Sequence, residues 1–155
     1  MEDQVYTFKV SLDFCKQNIQ RVMEIKGSFS LHQFAETIVK AYNFQLDHAF
    51  GFYNNLKNMY DSTEAYTQFC DDGASVNPNE KSVANFHVNT VFRPGKKMKF
   101  LFDYGDEWHF LVHCLGISQP KAAIEYPNIT KKVGEAPPQY YNSDNDYDEE
   151  NDNDE

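Results

Sequence analysis

The chain of 155 residues is 41% hydrophobic and 15% aromatic, which is enough for one domain with a core but too short to expect two. Its net charge of -10 is uneven, because residues 142–155 hold eight acids and no base, and the remainder carries only -2. Such a segment has little apolar surface to bury and repels itself. We therefore expect a single domain over residues 1–141 and a disordered acidic tail over 142–155.

The charge and cysteine patterns argue against several classes of function. The near-neutral body lacks the basic stripe of nucleic-acid-binding proteins, and its densest basic group, between Arg93 and Lys99, is typical of a solvated turn. The three cysteines form no CxxC pair, which argues against a disulfide framework or a thiolate zinc site. Because there is neither a signal-peptide pattern nor a run that could span a bilayer, we expect a soluble cytoplasmic protein without membrane contact.

The first third of the chain predicts a hairpin followed by a helix. Apolar residues alternate with polar ones from Tyr6 to Leu12 and again from Arg21 to Ile25, so these two strands should pair. Ser30 and Gln33 form a capping-box pattern, and apolar residues recur at helical spacing as far as Tyr42. This stripe predicts one long helix whose apolar face covers a sheet.

The middle and the end of the chain give weaker signals. Residues 48–53 alternate and predict a third strand, whereas the path of residues 54–92 cannot be derived from the pattern. Near-helical spacing between Ser82 and Phe92 favours a short second helix that stops before Pro94. Beyond Gly116, recurrent prolines favour an irregular strap. The predicted fold class is α+β, a mostly antiparallel sheet covered by one long helix and a short second helix, with a C-terminal irregular strap.

The most informative segment is an aromatic hairpin that contains the only Trp of the chain. Apolar positions alternate from Met98 to Tyr104 and from Trp108 to Cys114, which predicts two strands with one shared aromatic face. Gly105 is expected to take the positive φ of a tight connection. The short side chains of Asp103 and Asp106 are expected to accept hydrogen bonds from N–H groups of the turn.

The candidate site consists of the polar side chains of this turn and one arginine of the second strand: Asp103, Asp106, Glu107, His109 and Arg21. Oxygen and imidazole ligands suit Mg, Mn or Zn, so a metal site at the turn is one interpretation. Turn formation in contact with solvent is the other, which we favour because hairpin tips ordinarily carry Asp and Gly. Arg21 would either anchor an anion or form a structural ion pair with a carboxylate such as Asp106. No metal or other cofactor is assigned.

Several motifs resemble those of the plasmid Ri-type ORF-three-like family. The strongest is similar to the family's Tyr-Asp-Phe-Gly-Asp-x-Trp-x-His hairpin, and four others follow the family's order: Phe102–Phe110, then Ile19–Val22, Ser30–Ala35, Asp47–Phe50 and Gly134–Pro138. The resemblance implies an α+β domain of unassigned activity, and it carries over no catalytic residue. The family's closing element usually has cysteines around its Pro-Pro pair, and this chain lacks them.

Together these features favour a non-enzymatic binding or accessory module that presents its sheet and strap to a protein partner. Two alternatives stay open, a metal-assisted hydrolase and a plasmid- or transposon-related nucleic-acid accessory protein. The hydrolase would need ligands from another element, because His109 and His113 lie roughly 13 Å apart along one strand. The near-neutral charge of the body opposes nucleic-acid binding. The sequence does not decide whether the protein is an enzyme or what its oligomeric state is.

Overall fold

The computed structural model describes residues 3–71, 73 and 78–140, and strands dominate it. One sheet contains eight strands: β1 (Val5–Leu12), β2 (Gln20–Lys26), β3 (Phe50–Tyr53), β4 (Ala65–Thr67), β5 (Glu80–Ser82), β6 (Lys97–Phe102), β7 (Trp108–Ser118) and β8 (Asn128–Val133). The described residues also include three helices and a 3-10 turn: α1 (Leu31–Ala41), α2 (Gln68–Asp71), α3 (Val88–Val91) and Met59–Asp61. The predicted tail, 142–155, lies outside the described residues, and the domain limit at residue 141 stays a prediction.

The strand order in the sheet is β5-β4-β3-β6-β7-β1-β2-β8. All neighbours are antiparallel except β4 and β5, which run parallel. The two predicted hairpins are confirmed, with Tyr6 opposite Ile25 in the first and Phe100 opposite Phe110 in the second. Directly paired residues point to the same side of a sheet, so the alternating apolar side chains of these strands share one face.

The predicted α+β fold with one long covering helix is wrong, because the molecule is mostly strand. The longest helix in the described residues, α1, has 11 residues, and α2 and α3 have 4 each. A helix of this length extends about 16 Å, whereas eight strands spaced about 4.8 Å apart are roughly 34 Å across. The helix therefore overlies only part of the sheet. None of the helices in the described ranges is long and apolar enough to cross a membrane.

The helix α1 begins at the predicted capping box and ends at Ala41, one residue before the end of the apolar stripe. Ser30 Oγ accepts a hydrogen bond from Gln33 N at 3.1 Å, and Gln33 Oε1 accepts one from Ser30 N at 2.8 Å, which completes the capping box. The chain leaves the helix at Tyr42 and turns at Asn43, whose φ of 62° is left-handed. This conformation commonly terminates helices, and asparagine adopts it more readily than most residues.

Two further segments differ from their predictions. Within Ser82–Phe92, only Val88–Val91 is helical, because Ser82 ends β5 and its hydroxyl accepts hydrogen bonds from the next turn, including Ala84 N at 3.1 Å. The strap, expected to be irregular, contains β8, which pairs with β2 at the edge of the sheet. Its prolines lie outside β8, so every residue of this strand keeps the N–H that a ladder requires.

The two faces of the sheet differ in their surroundings. The face covered by α1, called the inner face, holds a phenylalanine cluster in which the Phe34 ring lies 4.4 Å from Phe8 and 5.7 Å from Phe52. The opposite face is called the open face. On this face Lys9 and His113 are only partly buried, whereas Lys99 and Leu101 of β6 are buried.

Candidate functional site

The turn between β6 and β7 is built by aspartate rather than by glycine. Asp103 Oδ1 accepts hydrogen bonds from Gly105 N at 3.1 Å and from Asp106 N at 3.2 Å, as the turn interpretation predicts. The positive φ values belong to Asp103, at 67°, and Glu107, at 57°, so the prediction for Gly105 is wrong. The expected turn bond to the Asp106 carboxylate is also absent among the described residues. That carboxylate is exposed and has no ion pair within the same residues.

The second oxygen of Asp103 faces a polar cluster from two other segments. His48 Nδ1 lies 2.9 Å from Asp47 Oδ1 and 3.7 Å from Asp103 Oδ2. The Tyr140 hydroxyl donates to Asp47 Oδ2 at 2.8 Å and lies 3.0 Å from His48 Nδ1. This group, called the Asp47 cluster, joins the hairpin turn, the segment before β3 and the end of the strap.

The side chains of the Asp47 cluster shift one another's ionisation. The hydrogen bond to Asp47 raises the pKa of His48, and the nearby carboxylates of Asp103 and Asp106 raise it further. Burial opposes ionisation of Asp47, but hydrogen bonds from His48 and Tyr140 outweigh it and lower the Asp47 pKa. Burial and the bond to Asp47 raise the pKa of Tyr140 to about 12. The arrangement therefore favours a carboxylate beside a cationic imidazole.

Glu107 and His109 lie on the other side of the turn. Glu107 Oε1 is 3.1 Å from His109 Nε2, and the His109 ring lies 4.9 Å from the ring of Phe14. The other ring nitrogen of His109, Nδ1, is buried and has no hydrogen-bond partner among the described residues. Phe14, in the loop between β1 and β2, is 80% exposed. The backbone of this large apolar residue has a φ of 57°, which lies in the left-handed region.

This separation weakens the metal interpretation of the turn. Of the four expected ligands, Asp103 faces the Asp47 cluster, and Glu107 and His109 pair with each other. Asp106 forms an ion pair with none of these residues. Within residues 3–71, 73 and 78–140, no group of three or more His, Cys, Asp or Glu side chains is arranged to hold a metal ion.

Two adjoining cavities lie between the turn and the strap. One, of about 330 Å³, is lined by Asp106, Trp108 and the segment Pro137–Gln139. The other, of about 270 Å³, shares Asp106, Trp108 and Pro137 and continues to Phe14. The indole packs at 4.9 Å from the Phe44 ring, and its buried Nε1 has no acceptor among the described residues. The two cavities together are called the hairpin-end groove.

Arg21 is not part of this groove. It is 4% exposed, and its Nε donates to Ala41 O at 2.9 Å. One terminal nitrogen donates to three further carbonyls, Gln20 O at 2.8 Å, Val133 O at 3.1 Å and Gly134 O at 3.1 Å. The predicted pairing with Asp106 is wrong, since Arg21 forms no ion pair with any described residue. Instead it joins the end of α1 to the end of β8.

The candidate site predicted from sequence lacked six residues of this end of the sheet: Phe14, Asp47, His48, Trp108, Pro137 and Tyr140. Four of them, Asp47, His48, Trp108 and Pro137, stand in the motifs that resembled a family. Phe14 occupies the next alternating position after Leu12, so the sequence pattern indicates a buried strand residue and does not reveal that Phe14 is exposed. Nothing local marks Tyr140, because its partners Asp47 and His48 lie more than ninety positions away in the chain. The motifs that resembled a family, Asp47–Phe50, the hairpin and Gly134–Pro138, do converge at this end of the sheet.

Comparisons with known proteins give information on the family and on the fold. The sequence model of the family described as plasmid pRiA4b ORF-3-like protein matches residues 4–151. A solved structure from Methanosarcina mazei Go1, the protein of unknown function MM3350, is similar with a TM-score of 0.73 over 90% of this chain and 74% of that one. At 18% identity, this similarity shows a shared fold and nothing about activity. No curated protein matches the chain.

Proposed function

Because the chain belongs to the plasmid pRiA4b ORF-3-like family, whose function is unknown, we propose its function from geometry, as a non-enzymatic binding module for a segment of a protein partner. The partner segment occupies the hairpin-end groove. The observation that carries this proposal is the joining of two cavities on Trp108, Asp106 and Pro137, beside an aromatic side chain, Phe14, that is 80% exposed. Exposed aromatic anchors beside concave surfaces are typical of protein recognition sites.

The chemistry of the groove favours a basic partner residue. The indole of Trp108 and the rings of Pro137 and Pro138 offer apolar surface for a long side-chain stem. The Asp106 carboxylate, which has no ion pair among the described residues, lies at the same surface and suits a cationic head group. Lysine and arginine combine both properties. An arginine can in addition stack on the indole.

Neither alternative function is supported by an observation of this kind. A metal-assisted hydrolase would need the turn carboxylates and His109 to converge, and they are divided between two clusters. At the groove, a nucleic-acid function would place phosphates beside Asp106, Glu107 and Asp103, where like charges repel. We place the module in the cytoplasm, as the three free cysteines are consistent with a reducing compartment.

The proposal is tested by peptide selection on the full chain. A random library of short peptides displayed on phage is selected on the wild-type protein alone, and the affinity of each enriched peptide is then measured for wild type and for the Asp106→Asn variant. We expect enriched peptides to contain Lys or Arg beside an apolar residue, and to change the fluorescence of Trp108, the single Trp in the chain. Removing the carboxylate should weaken binding about tenfold, since a charged partner then loses its counter-charge.

Two further variants separate binding from folding. Trp108→Phe keeps an aromatic ring but removes the indole N–H and part of the apolar surface, so it should also weaken the selected peptides. Glu125→Gln removes the same charge from an exposed position outside the groove and should leave affinity unchanged. If the selected peptides bind Asp106→Asn as tightly as wild type, or contain no basic residue, the proposed function is wrong.

A further inference from the structure

A row of cationic side chains crosses the open face of the sheet. Lys97 of β6 pairs with His113 of β7, and His113 pairs with Lys9 of β1. Lys9 pairs with Val22 of β2, which pairs in turn with Lys131 of β8. Directly paired residues share a face, so these side chains form one line across five strands. The row, called the cation row, is about 19 Å long at the usual strand spacing of about 4.8 Å.

The cation row lacks neutralising partners. Lys9, Lys97 and Lys131 form no ion pair with any residue in the described ranges. Within the five strands that carry the row, Glu24 is the one acidic residue, and it is diagonal to Lys9. Its carboxylate accepts a hydrogen bond from Asn128 Nδ2 at 3.1 Å. The nearest cation in the next row, Lys99, is already paired with Asp13.

Folding alone does not account for this arrangement. Lysine on an edge strand prevents unwanted strand pairing, which explains Lys131 on β8 but not Lys9 on β1, an interior strand. His113 lies directly opposite both Lys97 and Lys9, and like charges in such positions reduce stability when the imidazole is protonated. Burial lowers the pKa of His113, and the two lysines lower it further. An anionic ligand over the row would remove this repulsion.

The chain itself contains a segment of complementary charge and suitable length. Acids recur at every second position of the segment that follows Tyr140: Asp144, Asp146, Asp148, Glu150, Asp152 and Asp154. In an extended backbone such residues lie on one side, about 6.6 Å apart, and flexible lysine stems can follow that spacing. Fifteen residues reach up to about 50 Å, whereas His113 is roughly 13 Å along β7 from His109 at the hairpin end.

We propose that the cation row on the open face is the docking surface for the acidic segment 142–155 of the same chain. This inference is independent of the hairpin-end groove, because the row and the groove have no residue in common. The acidic groove also repels the acidic segment, which leaves the row as the electrostatically matched site.

The test compares full-length variants by amide NMR. In the first variant the six alternating acids become Asn or Gln. In the second, Lys9, Lys97 and Lys131 become Gln. A matched control replaces three exposed lysines outside the row, Lys16, Lys57 and Lys121, with Gln, which changes the net charge equally. A synthetic peptide of residues 142–155 is then added to each protein as the probe.

We expect neutralising the acids to shift the amides of the cation row and of His113 relative to wild type. The free peptide should bind this variant about threefold more tightly than wild type, because the attached segment no longer competes. The Lys9/Lys97/Lys131 variant should bind the peptide at least about fivefold more weakly than wild type. Raising the salt from about 20 mM to 200 mM should weaken peptide binding by wild type and by the control variant alike.

Three results would overturn the inference. The first is that substituting the control lysines weakens peptide binding as much as substituting the lysines of the row. The second is that the shifts map to another surface or that the peptide does not bind. The third is that the row amides of wild type shift with protein concentration, because the occupant would then be the segment of a second copy.

Discussion

At the scale of single residues, the hairpin end is organised by aspartates that each satisfy two neighbours. Asp103 uses Oδ1 for its own turn and presents Oδ2 to His48 at 3.7 Å. Asp47 likewise divides its oxygens between His48 and Tyr140. The turn role of Asp103 follows from local sequence, since aspartate commonly bonds to N–H groups two or three positions later. Its contact with His48 depends on a strand brought near by the sheet.

His48 gives the first prediction at this scale. Its imidazole should titrate above the ordinary value of 6.5, because Asp47 and the nearby carboxylates stabilise the cation. A base whose folded-state pKa is raised contributes stability that is complete below the unfolded-state value and lost as pH rises through the folded-state value. NMR titration of the His48 ring measures this pKa, and Asp47→Asn should lower it.

His113 serves as the internal control in the same titration. Burial and the two flanking lysines lower its pKa, so it should titrate below His48 and should not respond to Asp47→Asn. If His48 and His113 titrate together, or if the Asp47 variant leaves His48 unchanged, the electrostatic description of the Asp47 cluster is wrong.

At the scale of elements, the strap is shaped by the point at which β8 ends. Gly134 directly follows β8, and its φ of 77° lies in the left-handed region. A Cβ at this position would lie 2.6 Å from Asn18 O and 3.1 Å from Ile19 Cγ1. Only glycine fits both the backbone conformation and this close approach. The turn directs the chain toward Pro137 and the hairpin-end groove.

Gly134→Ala should therefore destabilise the protein by about 2 kcal/mol or more, since it combines left-handed strain with a backbone clash. Gly116→Ala is the matched control, because a Cβ there meets nothing within 4 Å and its φ is not in the left-handed region. Urea unfolding followed by Trp108 fluorescence measures both variants. Equal stability of the two variants would contradict the packing described for the strap.

The elements predicted from sequence share one property, which is that their signals are local. The strands β1, β2 and β7 show the apolar alternation of a sheet with one buried face, β6 shows an alternating sequence although both of its faces are buried, and α1 has its capping box. β8 escaped prediction because its burial does not alternate at the sheet edge, where the pattern is weakest. The helix predicted over Ser82–Phe92 is shorter than expected, because Ser82 pairs with Thr67 of β4 in the sheet and the helix forms only at Val88–Val91.

At the scale of the whole molecule, Arg21 joins elements that are distant in the chain. Its four hydrogen bonds reach the end of α1, its own strand and the end of β8, up to 113 positions away. The guanidinium also lies 4.8 Å from the centroid of the Tyr42 ring. A buried cation without a carboxylate is stabilised here by carbonyl oxygens and an aromatic face.

Arg21→Met should cost roughly 3 kcal/mol of unfolding free energy, because buried carbonyls lose a charged donor. Arg93→Met, at an exposed position, removes the same charge and should change stability by less than about 0.5 kcal/mol. Chemical denaturation of both variants, compared with wild type, checks this. A loss at Arg93 as large as that at Arg21 would show that net charge, and not the bonds of Arg21, is responsible.

The two hairpins, the start of α1 and the turn role of Asp103 follow from the sequence, because each depends on neighbours within a few positions or on simple alternation. The strand order, the role of Arg21, the separation of Asp103 from Glu107 and His109, and the alignment of the cation row follow from the folded structure. These features depend on pairing between distant strands. A register that brings residues together across the sheet is selected by packing of the whole core, and no local pattern records it.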